Sequence, residues 1–150
     1  MSSKSVSSKI LGPGYGVIVA GCVVENFIIR TQWFKLGSVI GLLWMAVGLA
    51  ALFFALRELR KGEGYMLVET GLYAVSRNPI MAANLLGVMP GLCLILNTNI
   101  GILGIALAAY SFFSTVGAEE TALEDEFGEA YQVYRERVSL LVPVPFGGGA

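Results

Sequence analysis

"LGSVIGLLWMAVGLAALFFAL", residues 36–56, runs for a bilayer's thickness without one charged side chain. About 20 apolar residues in a helix cover the ~30 Å hydrocarbon core of a membrane. The stretch is apolar on every face, so it has no polar side to turn toward water. It reads as a transmembrane helix, and the rest of the chain is organised around it. The 150 residues are 55% hydrophobic and 14% charged, with a mean hydropathy of +0.70. Soluble domains carry roughly 25% charged residues, so this chain is short of the polar surface that water demands. A single integral-membrane domain over 1–150 is the expectation.

Three further segments match the same length rule. They are residues 10–29, 79–96 with Pro90 as an internal kink, and 99–118, joined to the third by the polar turn "NTN". "VAGC" at 19–22 resembles a bacterial lipoprotein cleavage box. The chain stays apolar through "VVENFII" beyond it, so the segment reads as a retained first span. The fold class expected is therefore all-α, with four transmembrane helices followed by a C-terminal amphipathic interfacial helix.

Lysine and arginine are distributed unevenly. Lys4, Lys9, Arg57, Arg60, Lys61, Arg77, Arg135 and Arg137 fall on the side shared by both termini, and only Arg30 and Lys35 on the other. That bias puts both termini in the cytoplasm. On the same face lie the segment 57–78, "RELRKGEGYMLVETGLYAVSRN", and the tail from 119 onward, which opens on Glu119 and Glu120 directly after the last apolar run. In the tail, Leu123, Phe127, Tyr131, Tyr134 and Val138 recur at helical spacing, while Glu124, Asp125, Glu129 and Glu136 take other faces. Such a stripe suits a helix of about 119–138 lying at the membrane surface.

The absent residue types narrow the chemistry. The chain has no histidine, which removes histidine-based triads and imidazole metal sites. Cys22 and Cys93 stand singly within apolar runs and read as inert thiols. No metal site and no nucleic-acid surface is expected, because no basic patch is present.

Two stretches resemble a known family. "TGLYAVSRNP", residues 70–79, is similar to the "TGPYRYVRHP" signature of the isoprenylcysteine carboxyl methyltransferases and related phospholipid methyltransferases. After one hydrophobic hairpin comes "EETALEDEFGEAYQVYRERV", then Pro143. This resembles the family's closing pattern of a Glu-Glu pair, Phe-Gly, two tyrosines, Arg-Val and a proline. The resemblance covers about residues 57–145. It implies a membrane methyltransferase using S-adenosylmethionine as cofactor, with the acceptor a lipophilic small molecule or lipid-linked group: a prenylcysteine-like carboxylate or a phospholipid amine. By that resemblance Gly71, Tyr73, Asn78, Glu119 and Glu120 are cofactor-binding candidates, and Arg77 and Arg137 are catalytic candidates. A glutamate suits the cofactor's ammonium through a charge-assisted hydrogen bond, and an arginine suits a carboxylate. Departures from the pattern are Leu72 for proline, Asn78 for the usual histidine and Met81 for a frequent tyrosine. Asn78 before Pro79 also suits a helix start.

Duller and rival readings stand beside these. Tyr131 and Tyr134 fit interfacial-belt and packing roles, and Gly37 with Gly41 fits close helix contact. Glu25, an acid within a span, is a functional candidate by position. It allows a small, dimeric proton-coupled exporter, although a pair with Arg30 one turn away is the expected use of its charge. A catalytically silent accessory subunit of the same fold is the third reading.

Overall fold

The computed structural model describes residues 3–62 and 67–142, which are helical almost throughout and contain no strand. The first helix, Ser3–Val23, is prolonged by a π-helical turn at Val24–Ile29. The second is Lys35–Lys61. The third apolar helix spans Pro79–Ile95, the fourth is Gly101–Phe127, and a tail helix follows at Glu129–Arg137. The first, second and fourth are long and apolar enough to cross a membrane. Their outer faces carry bare large side chains such as Phe27, Leu43, Val47, Phe53 and Phe113. Exposure on that scale is not seen in soluble monomers. Pro143, the last element of the closing pattern, lies outside the described residues.

The helices associate as two close pairs, first with fourth and second with third, with sparser contacts between the pairs. Small residues make this proximity geometrically necessary. A Cβ on Gly48 would stand 2.6 Å from the backbone nitrogen of Val88, and one on Gly14 would stand 2.6 Å from the carbonyl oxygen of Gly104. Lipid offers helices no hydrophobic drive to associate, so close backbone packing of this kind supplies much of the attraction. Of the pair Gly37 and Gly41, only Gly41 meets another helix, at Leu94 and Gly91; Gly37 packs on Phe34. Between the pairs lies a core in which Ile18, Met89, Ala108 and Phe112 are wholly buried.

Pro90 disturbs the third helix by removing a donor. The proline has no N–H for the carbonyl of Leu86, four residues earlier. That carbonyl accepts instead from the indole N–H of Trp44 at 2.7 Å, so the second helix repairs the third. The same region widens into a π-helical segment, Ala83–Val88. Within it the buried Asn84 donates to the Ile80 carbonyl at 2.8 Å and accepts from the Tyr15 hydroxyl at 2.7 Å.

At the Arg30 end of the bundle, Glu25 is buried and accepts from the backbone N–H of Ile100 at 3.1 Å and from the Asn99 amide at 3.3 Å. The expected pair with Arg30 is not made. Arg30 turns outward with a left-handed backbone, φ 59°. The carboxylate instead neutralises the positive N-terminal end of the fourth helix, where free N–H groups hold it better than a solvated arginine.

The tail also differs from expectation. The fourth helix runs unbroken past Ala118 to Phe127, because glutamate and alanine sustain a helix as well as leucine does and the onset of charge ends nothing. The break falls at Gly128, whose φ of +56° is a backbone position that suits glycine. Even so, Leu123, Phe127, Tyr131, Tyr134 and Val138 form one cluster with Leu67, as their spacing requires.

Candidate functional site

The tail returns the chain to the segment ahead of the third helix. Beyond Val138 the backbone lies alongside residues 76–78. The Arg77 N–H donates to the Ser139 carbonyl at 2.8 Å and the Asn78 N–H to the Leu140 carbonyl at 3.1 Å, with an isolated parallel bridge between Ser76 and Ser139. One turn of the tail helix earlier, the Tyr134 hydroxyl donates to the Tyr73 carbonyl at 2.7 Å in a buried hydrogen bond. The two stretches that carry the family resemblance, about forty residues apart in the chain, are therefore stitched together by backbone and side chain.

Arg77 and Glu120 meet at this seam. Their Nη1 and Oε1 atoms are 2.5 Å apart, and the two side chains are only 12% and 11% exposed. The contact is an ion pair without good hydrogen-bond alignment: Nε and Nη1 of Arg77 and Oε1 of Glu120 are buried with no aligned partner. Buried polar atoms are nearly always paired, so orphaned ones mark strain or function. Arg135, half exposed, stands 3.7 Å from the other oxygen of Glu120 and 3.6 Å from Glu124. Glu119, partly buried, has no ion pair among the described residues, and burial and then the Glu120 charge raise its carboxyl above the usual range. Two carboxylates, Glu120 and Glu124, thus gather around two guanidiniums.

Tyr131 lies within hydrogen-bonding reach of both Arg77 and Glu120, and its side chain is almost completely buried. Burial, then the Glu120 charge, raises its phenol above the usual tyrosine range. Burial likewise raises Tyr134, with further contributions from Tyr131 and Tyr73. Tyr73 is pushed up to about 12 by burial and by the charge of Glu119. All three phenols stay neutral at any physiological pH.

The remaining candidates take different places. Gly71 adopts φ +62° and sits on the Glu58 side chain, where a Cβ would come within 2.7 Å of its Cγ. Glu58 also accepts from the Thr70 hydroxyl at 3.1 Å, so the end of the second helix fixes this turn. The Tyr73 ring is buried in an apolar cluster with Ala55 and Ile80. Asn78 starts the third helix through its backbone alone, with its N–H on the Ser76 hydroxyl at 3.2 Å and no cap from its amide. Met81 points into the main core. Arg137 is paired with Glu69 at 2.5 Å on the exposed surface and is not brought to Arg77 by any described contact. The sequence reads Tyr131 and Tyr134 as interfacial-belt and packing residues; both pack, buried, in the seam. A tyrosine at the centre of an apolar stripe needs a partner for its hydroxyl, and that was the signal available.

Two cavities lie elsewhere, and neither is lined by Arg77, Glu119 or Glu120. The first, about 380 Å³, is an apolar groove between the second and third helices. Its outer rim is Trp44, Val47 and Leu86, and its inner end is Val75, Ser76 and Leu141. Ser76 thus belongs both to this groove and to the seam. The second, about 490 Å³, lies at the opposite end beside Asn97, Thr98 and Asn99.

Compared with known protein families, curated proteins and solved structures, the chain matches none. The family resemblance rests on its own motifs and on the contact between them.

Proposed function

We propose that this chain is an integral-membrane methyltransferase, moving a methyl group from S-adenosylmethionine to a lipophilic acceptor at the cytosolic face. The contact between Arg77 and Glu120 carries this reading, because it joins the two resembling stretches in one buried polar cluster. In this reading the third helix, roughly 25 Å long at 1.5 Å per residue, is the fourth crossing. Both termini are cytoplasmic, and the tail helix lies along the inner membrane surface.

The residue chemistry fits the amino-acid end of the cofactor. Arg77 offers unused donors to a carboxylate, and Glu120 with Glu119 offers acceptors to an ammonium. Bound there, the cofactor would supply an electrophilic methyl group on a sulfonium. The neutral phenol of Tyr131 adds a donor without adding charge. Positioning is most of what such a displacement asks of a protein, which makes the lack of histidine unremarkable. The apolar groove ends at Ser76, next in the chain to Arg77, and its lining would suit a membrane-borne acceptor.

Titration calorimetry of the purified chain with S-adenosylmethionine tests the reading. Glu119→Ala and Glu120→Ala, measured separately, should show at least one large loss of affinity; wild-type affinity in both would remove the glutamates from the site. Transfer of tritiated methyl into a membrane extract, followed by identification of the product, would name the acceptor. The closed state of the cluster favours one second reading, a silent accessory protein of this fold, which predicts no heat of binding at all.

A further inference from the structure

The pair of Arg77 and Glu120 neutralises itself and blocks its own site. Both side chains are nearly buried, neither cavity reaches them, and Tyr131 is packed against both. Yet three of their polar atoms have no aligned hydrogen-bond partner. The contact satisfies charge and leaves hydrogen bonding unsatisfied, so a ligand with better geometry has something to gain.

We infer that this ion pair is an internal stand-in for a zwitterion, and that ligand binds by exchange: its α-carboxylate replaces Glu120 on Arg77, and its α-ammonium replaces Arg77 on Glu120, with Glu119 beside it. The inference rests on the proposed methyl-donor reading and adds a rule of specificity to it. Exchange of one pair for two pairs leaves no buried charge alone. A ligand with only one of the two charges opens the pair and compensates only one side of it. Leaving one partner of a buried pair uncompensated is strongly unfavourable, and its usual cost corresponds to about a hundredfold or more in affinity. Arg135 already stands near Glu120 and Glu124 and can remain there as the pair opens. Gly128 provides a joint between the fourth helix, which carries Glu120, and the tail helix, which carries Tyr131.

The test is titration calorimetry of the full chain in detergent micelles with three ligands: S-adenosylmethionine, its decarboxylated analogue and its deaminated analogue. Wild type should bind each analogue about a hundredfold more weakly than the parent. Glu120→Gln frees Arg77 from its internal partner, so the deaminated analogue should bind this variant at least tenfold more tightly than it binds wild type. The decarboxylated analogue should gain nothing. Arg77→Gln gives the mirror result, a gain for the decarboxylated analogue alone, and serves if the first variant fails to fold. Equal weakening of all three ligands in either folded variant overturns the exchange and leaves the methyl-donor reading in place. If wild type binds none of the three, both ideas fall together.

Discussion

Two glutamates are buried at opposite ends of this bundle, and their surroundings differ in kind. Glu25 meets aligned donors at the start of the fourth helix, the backbone N–H of Ile100 and the side-chain amide of Asn99. Around it Asn26 holds the Leu96 carbonyl at 2.9 Å and Asn97 holds the Gln32 carbonyl at 3.3 Å, tying the turn to its neighbours. Glu120 meets a guanidinium at close range with poor alignment, a second guanidinium at 3.7 Å and an unpaired acid beside it. The first arrangement is finished. The second is balanced in charge and incomplete in hydrogen bonds, as the proposed exchange requires. Burial of an acid alone, which the two share, does not distinguish them; the state of their partners does.

The strongest way to break this contrast is Arg77→Ala. It leaves Glu120 buried without its close cation, and should cost about 3–5 kcal/mol in unfolding measured in detergent, together with any donor binding. A smaller effect than at Glu25 would reverse the comparison. Glu25→Ala removes a helix cap and should cost about 0.5–2 kcal/mol, while donor affinity measured by calorimetry stays at the wild-type value. Loss of that affinity would return Glu25 to the list of functional residues.

Alkaline pH probes the seam. An unfolded tyrosine loses its proton near 10, whereas Tyr73 holds its proton to about 12, and Tyr131 and Tyr134 are also raised. The folded state binds the proton more tightly, so this stability is complete below pH 10 and is lost as pH rises toward 12. Melting followed from pH 8 to 11 should show a fall that begins near 10, and Tyr134→Phe should reduce it at a cost of about 1 kcal/mol at neutral pH. A flat profile would mean that water reaches the phenols. The smallest effect belongs to Asn78→His. Its amide caps nothing, so stability should change by less than about 0.5 kcal/mol. A collapse of the fold in that variant would show the loop to be less tolerant than its contacts imply.

Much of this was legible from local pattern. The charge-free run at 36–56 is a helix long and apolar enough to cross a membrane, as its composition implies, and the spacing of Leu123, Phe127, Tyr131, Tyr134 and Val138 named a cluster that the fold assembles. Those signals are local because hydrophobicity and helical period act over a few residues. The extent of the fourth helix was misjudged for the complementary reason: a change from apolar to charged residues marks a change of solvent and leaves helix propensity intact.

Partners across the fold were not legible. Glu25 and Arg30 are one turn apart, yet the acid belongs to a helix start some seventy residues away. Arg137 sits in the closing motif, yet it pairs with Glu69, while Arg135, read from the sequence only as an orienting charge, reaches Glu120. The sequence by itself determined a membrane-embedded helical chain with two polar stretches on one face. Only the tertiary structure decided that Arg77 and Glu120 close on each other and that Tyr131 seals them, because a charge chooses its partner by distance and solvation in three dimensions, and neither quantity is written in residue spacing.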